Sequence, residues 1–272
     1  MQIEFTKMVG AGNDFIVIDN RDGIVPDGDV RHSLIERWCE RRMAVGADGV
    51  LLLEHDDEVD FRMRYYNADG GEAEMCGNGA RCISRYAHLR GAVGTTMQFR
   101  SAAGLHTADI TDLGVRVGLT DPTDIRPDYA VMLSDGEHVV SSINTGVPHV
   151  IEVVDDVDAV DVVSVGREIR YHDEFAPAGV NANFITVVDR TTFKIRTYER
   201  GVEDETLACG TGTTGAAIVG TLLGLCDSPV TGITRSGLPL IIDFKRNADM
   251  AMDVTLEGKA DIAYEGILRL GE

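Results

Sequence analysis

Apolar residues recur along most of this chain with the two-residue period of half-buried strands, and the wider helical spacing shows in only four places. Strands are predicted at Ile3 to Val9 and Phe15 to Asp19. A helix follows at Val30 to Arg42, with Leu34, Ile35, Trp38 and Cys39 on one side. Val50 to Leu53 and Phe61 to Tyr66 read as further strands, the second ending on the turn cluster Asn67-Ala68-Asp69-Gly70-Gly71. A helix-like run from Ile83 to Leu89 comes next, then strands at Met97 to Arg100, Leu105 to Ile110 and Val115 to Leu119.

The polar, proline-bearing stretch from Asp121 to Asp128 breaks the pattern, and the domain boundary is placed there, giving a first domain of 1–120 and a second of 121–260. Beyond it, strands are predicted at His138 to Thr145 and Val150 to Val154, with a helix near Val160 to Ile169. Strands at Ile185 to Asp189 and Phe193 to Tyr198 precede a helix-like run from Ala216 to Leu225. Val230 to Thr234, Leu238 to Phe244, Ala251 to Leu256 and Ile262 to Leu270 close the chain as strands. Strands dominate without regular βαβ alternation, so the class is α+β.

The two halves share an order: a strand ending in tyrosine (Tyr66, Tyr198), a polar turn, Cys-Gly-x-Gly, then a helix. The two motifs are Met75-Cys76-Gly77-Asn78-Gly79-Ala80-Arg81-Cys82 and Ala208-Cys209-Gly210-Thr211-Gly212-Thr213-Thr214-Gly215, about half the chain apart. A thiol just before a helix points into the positive end of the helix dipole, where thiolate is favoured and an anion can rest on free backbone N–H groups. Repetition of so unusual a setting implies two similar halves facing one another across a cleft.

Composition narrows the partners. The 272 residues are 44% apolar and 26% charged. No apolar run reaches membrane-spanning length and the N-terminus does not read as a signal peptide, so a cytoplasmic enzyme is expected. A net charge of −20 argues against nucleic acid. Five cysteines form an odd set with neither C-x-x-C nor metal-ligand spacing, so free thiols and no metal are expected. Cys39, Cys82 and Cys226 read as small buried hydrophobes.

Three thiol chemistries compete for Cys76 and Cys209. A protease-like nucleophile needs one cysteine with a histidine base, leaving the second surplus. A redox pair usually lies close in sequence. Two-base proton transfer at carbon uses two opposed thiols, one removing a proton and one delivering it, and two helix N-termini would hold the substrate carboxylate as charge develops. Pyridoxal phosphate would need a Schiff-base lysine, and Lys7, Lys194, Lys245 and Lys259 all lie outside any glycine-rich phosphate setting. No cofactor is expected. Gly10-Ala11-Gly12-Asn13-Asp14 mimics a dinucleotide fingerprint, but a strand follows it and the third glycine is missing.

Gly12-Asn13-Asp14-Phe15, the two cysteine motifs, Pro148-His149 and Tyr198-Glu199-Arg200-Gly201 together resemble the diaminopimelate epimerase family, in the family's order and over nearly the whole chain. The resemblance implies two pseudo-symmetric domains, each a curved, mostly antiparallel sheet or barrel around a central helix, with the active site in the cleft and the last strand (261–272) returning to the first domain. It implies interconversion of LL- and meso-diaminopimelate for lysine and cell-wall synthesis, with a homodimer as the working form. Cys76 and Cys209 would be the acid/base pair, and Gly77, Asn78, Gly210 and Thr211 would hold the reacting carboxylate. Asn13, Asn67, Asn181, Glu199 and Arg200 would bind the substrate's amino and carboxylate groups, Arg200 suiting the distal carboxylate. His149 and Glu199 match residues that tune the thiols. Two positions depart from the commonest pattern: Gly49, where many members carry glutamine, and Val147, where many carry asparagine. Related cofactor-free enzymes act on proline, hydroxyproline or histidine, which stands as the alternative substrate class.

Overall fold

The apolar runs at Phe15–Ile18 and Val50–Leu53 are buried on both faces, the pattern of strands covered on both sides. They lie in β2 (Asn13–Asp19) and β3 (Gly49–Glu54), which pair in parallel. The computed structural model describes residues 2–247 and 250–269. The chain divides into two compact units, Met1–Val117 with Glu257–Glu272, and Gly118–Leu256.

In the first unit, β1 (Gln2–Gly10) pairs with β2 and with the last strand of the chain, Asp261–Arg269. Positions 270–272 of the expected closing segment lie outside the described residues. β3 pairs with β4 (Phe61–Asn67), which carries both the short β5 (Glu72–Ala73) and β6 (Thr96–Ser101); β7 (Gly104–Thr111) and β8 (Gly114–Gly118) follow. Among these pairings β2–β3 and β4–β6 are parallel and the others antiparallel. One face of the sheet buries Phe15, Val17, Leu51, Leu53 and Phe61 against α2 (Gly77–Leu89). The other buries Ile16, Ile18, Val50 and Leu52 with Ile35 and Trp38 of α1 (Asp29–Cys39).

The second unit repeats that order. β9 (Thr123–Leu133), β10 (Gly136–Asn144) and β11 (Pro148–Val153) are antiparallel neighbours, and β11 pairs in parallel with β12 (Asn181–Asp189). β12 pairs antiparallel with β13 (Thr192–Glu199), which carries the short β14 (Asp204–Thr206) and, in parallel, β15 (Val230–Ile233); β16 (Pro239–Asn247) follows. α3 (Val162–Arg170) packs with β12 and β13, as α1 packs in the first unit. α4 (Gly210–Leu222) is buried nearly all round. The pairings Phe15↔Gly49 and Val50↔Tyr66 in one unit answer His149↔Asn181 and Ala182↔Tyr198 in the other. No helix among the described residues is long and apolar enough to cross a membrane.

Two features differ from the sequence reading. The stretch read as a break is largely strand: β9 spans Thr123–Leu133 and pairs with β10. It is mostly exposed and irregular, with positive φ at Asp124 and Asp128, so it lacks the apolar alternation that marks a strand. The cysteine motifs are not turns ahead of their helices. Both helices begin one residue after the cysteine, so the glycines form the first helical turn.

Candidate active site

Cys76 is the N-cap of α2, and its Sγ accepts the backbone N–H of Gly79 at 3.5 Å. The Ala80 N–H takes the Cys76 carbonyl at 2.7 Å, so the first turn closes around the thiol and leaves the Gly77 and Asn78 N–H groups at the helix start. Cys209 occupies the N-cap position of α4 in the same extended conformation, with Thr213 N–H on its carbonyl at 2.9 Å and without a side-chain capping bond of the Cys76 kind. Glycine at the third position of each helix permits close packing. A Cβ at Gly79 would lie 3.2 Å from the Leu51 side chain, and one at Gly212 would lie 2.3 Å from Asn183 Oδ1.

Around α2 the polar groups form a directed chain. Arg81, fully buried, donates from Nη2 to Asn78 Oδ1 at 2.6 Å. Asn78 Nδ2 donates to Asn13 Oδ1 at 2.7 Å, and Asn13 Nδ2 donates to Asp48 Oδ2 at 3.0 Å. Arginine only donates and the carboxylate only accepts, so both amides are fixed in orientation. Asp48 is held by Arg41 at 2.8 Å. Arg41 also binds Asp14; burial alone would raise that carboxyl, but hydrogen bonds from Arg41 and Lys7 hold it below the ordinary range. Among the described residues no carboxylate lies within ion-pairing distance of Arg81, and its Nε has no partner. Burial lowers its pKa, while the thiols of Cys82 and Cys76 act in the opposite sense.

Around α4 the groups that meet are Cys209, Thr211, His149 and Asn183. Cys209 Sγ lies 3.5 Å from Thr211 Oγ1, which lies 3.0 Å from His149 Nε2. His149 is fully buried, and burial, helped by the charge on Arg200, pushes its pKa from the ordinary 6.5 to about 3, so the ring is neutral. Asn181 donates to the Pro148 carbonyl at 3.2 Å and accepts the Arg200 backbone N–H at 2.8 Å. The Arg200 guanidinium reaches the carbonyls of Ala178 and Gly179. Glu199 ends β13, where its carbonyl accepts the Glu203 N–H.

The candidate residues therefore fall into two groups. Asn13 and Asn78 meet beside Cys76, and His149 and Thr211 meet beside Cys209. Asn67, exposed at the end of β4, lies opposite Gly49. Gly49 has no space for a side chain, since a Cβ there would meet the Tyr66 carbonyl at 2.3 Å and the Tyr65 ring at 2.8 Å. Val147, half-buried, uses its carbonyl to accept the Thr145 N–H. The other cysteines are of a different kind: burial pushes Cys39 and Cys82 up to about 12 and raises Cys226. Sequence reasoning missed Arg81, Asp48 and Asn183. The available signal for Asn183 was a polar residue between Ala182 and Phe184 in a buried strand.

Comparison with known proteins agrees with this architecture. The profile of the family described as Diaminopimelate epimerase matches residues 5–124 and 141–260, one segment in each half. A diaminopimelate epimerase of Aquifex aeolicus is 45% identical, covering 98% of each chain, and one of Chlorobaculum tepidum is 42% identical over 97% of this chain and all of that one. The solved structure of a Bacillus anthracis phenazine biosynthesis protein of the PhzF family covers 99% of this chain and all of its own at 13% identity, with a TM-score of 0.73; it shares the fold. With both repeats matched and curated relatives aligned over nearly full length, the chain belongs to the diaminopimelate epimerase family.

Proposed function

We propose that this protein interconverts LL- and meso-diaminopimelate in lysine biosynthesis, with Cys76 and Cys209 as the two acid/base residues. The observation that carries the reading is the matched pair of cysteines at helix N-cap positions, one in each repeat of a family member. One thiolate removes the α-proton, and the other thiol returns a proton to the opposite face of the carbon. Charge then builds on the α-carboxylate, and the N–H groups of Gly77, Asn78, Gly210 and Thr211 take it up. One such donor is worth about 3 kcal/mol of barrier, so a set of them is a large term.

Asn13, Asn67, Asn181, Glu199 and Arg200 bind the remaining amino and carboxylate groups. His149 and Glu199 set the state of the thiols. For His149 the support is its buried, neutral ring, bonded to Thr211, whose hydroxyl lies 3.5 Å from Cys209 Sγ. The reading extends to a cytoplasmic homodimer, supported by family membership alone, and light scattering on the eluting protein decides its size.

Incubating LL-diaminopimelate with the protein in deuterated water tests the reaction. The expected result is meso product carrying deuterium at the α-carbon, and the absence of both overturns the reading. Cys76→Ser and Cys209→Ser should each abolish epimerisation, and full activity in either would refute two-base transfer. Parallel assays with proline, hydroxyproline and histidine separate the related substrate classes.

A further inference from the structure

We infer that Asn183 is a positioning residue that fixes the tautomer of His149 so that the Thr211 hydroxyl hydrogen is aimed at Cys209 Sγ. Hydrogen-bond polarity is set at Asn183 and carried through His149 to Thr211. Asn183 Nδ2 donates one of its two hydrogens to the Val150 carbonyl at 2.9 Å, an atom that only accepts. Its Oδ1 accepts the Thr197 hydroxyl at 2.8 Å, so the amide orientation is fixed from both ends. The same NH2 lies 3.2 Å from His149 Nδ1.

A donor facing Nδ1 requires a bare ring nitrogen there, so the proton of the neutral ring sits on Nε2. Nε2–H then donates to Thr211 Oγ1 at 3.0 Å. Because a protonated Nε2 cannot accept, the hydroxyl keeps its own hydrogen for Cys209 Sγ at 3.5 Å. Asn183 and His149 are buried, so water does not compete for the bond between them. Gly212 makes room for the arrangement, since any Cβ there would strike Asn183 Oδ1. At the equivalent place in the first unit the residue is Leu51, so the chain of bonds belongs to Cys209 alone.

His149 on this account cannot accept a proton from Thr211 at Nε2. It acts as a fixed donor, and the thiolate of Cys209 is the species the hydroxyl favours. The inference rests on the proposed epimerisation for its kinetic test but not for its spectroscopic one.

The ¹⁵N spectrum of labelled His149 should show the Nε2–H tautomer in the wild type, and an Nδ1–H tautomer there would overturn the proposal. Asn183→Asp places an acceptor at Nδ1 and should switch the ring to Nδ1–H, with kcat lowered about 100-fold and KM within about threefold, as for loss of a preorganised donor. Thr211→Val should lower kcat to a similar extent, while Thr211→Ser keeps it within about threefold of wild type. Wild-type kcat in Thr211→Val, alongside an inactive Cys209→Ser, refutes the relay. If Asn183→Asp does not fold, the Thr211 pair decides. If the wild type shows no epimerisation, the functional reading fails while the tautomer still decides the positioning role.

Discussion

Asn78 meets two demands with one amide. Its Oδ1 is the acceptor for the fully buried Arg81, and its NH2 holds Asn13. Asn78→Ala removes the shortest hydrogen bond to that guanidinium and should destabilise the protein by about 1–3 kcal/mol in urea unfolding. Asn78→Asp is expected to behave differently. A carboxylate there supplies Arg81 with a counter-charge, so stability should stay at or above that of the wild type. The same carboxylate faces Asn13 Oδ1 and repels an anionic substrate, so isotope exchange should fall at least about tenfold, a barrier increase of about 1.4 kcal/mol. Stability and turnover moving in opposite directions is the result to look for. A variant with both unchanged would remove Asn78 from the site.

Among the elements, α2 and α4 have the same starting geometry but different tolerance for a methyl group. At Gly79 a Cβ meets the end of a flexible Leu51 side chain, and alanine's better helix propensity offsets the crowding, so Gly79→Ala should unfold within about 1 kcal/mol of wild type. At Gly212 it meets Asn183, which is held by several bonds, so Gly212→Ala should lose about 1–3 kcal/mol in the same measurement. Equal effects at the two positions would contradict the packing described. The same glycines explain why the helix starts were hard to read: Gly-Asn-Gly and Gly-Thr-Gly are poor helix formers, and tertiary packing overrides the propensity. β9 escaped notice for another reason. Its first half, 123–128, is exposed, bulged and carries Pro127, so it shows no hydrophobic alternation, while Val131 and Leu133 of the second half are buried in the core. Strands with buried faces were legible because burial imposes a pattern, a continuous apolar run in β2 and β3 and a two-residue alternation in β13.

Over the whole molecule, the repeat was readable from Tyr66/Tyr198 and Cys76/Cys209, while the differences between the repeats were not. Phe15 and His149 occupy matching registers, and only packing shows that one is plain core and the other is tied to Thr211. Asn183 was missed likewise, because its bonds to Val150, Thr197 and His149 bring together three separate segments. The His149 position also makes acid stability predictable. Its folded pKa of about 3 lies below the unfolded 6.5, so the unfolded state takes up the proton first. The associated stability is fully present above pH 6.5 and is lost as pH falls towards 3, with a limiting slope of about 1.4 kcal/mol per unit. His149→Phe, the residue type used by the first unit, should flatten the stability profile between pH 6 and 4 by about that slope relative to wild type. Parallel profiles would mean that the ring is already protonated or exposed when folded.

Cys76 caps α2 through its side chain. Serine is among the preferred residues at such a position, whereas sulfur is a longer and weaker acceptor. Cys76→Ser should therefore unfold at the same temperature as wild type or a little above it. Exchange of one sulfur for oxygen would leave a chain that is abundant, folded and silent. Selection for stability or expression therefore gives no protection to this thiol, and only selection for turnover retains it.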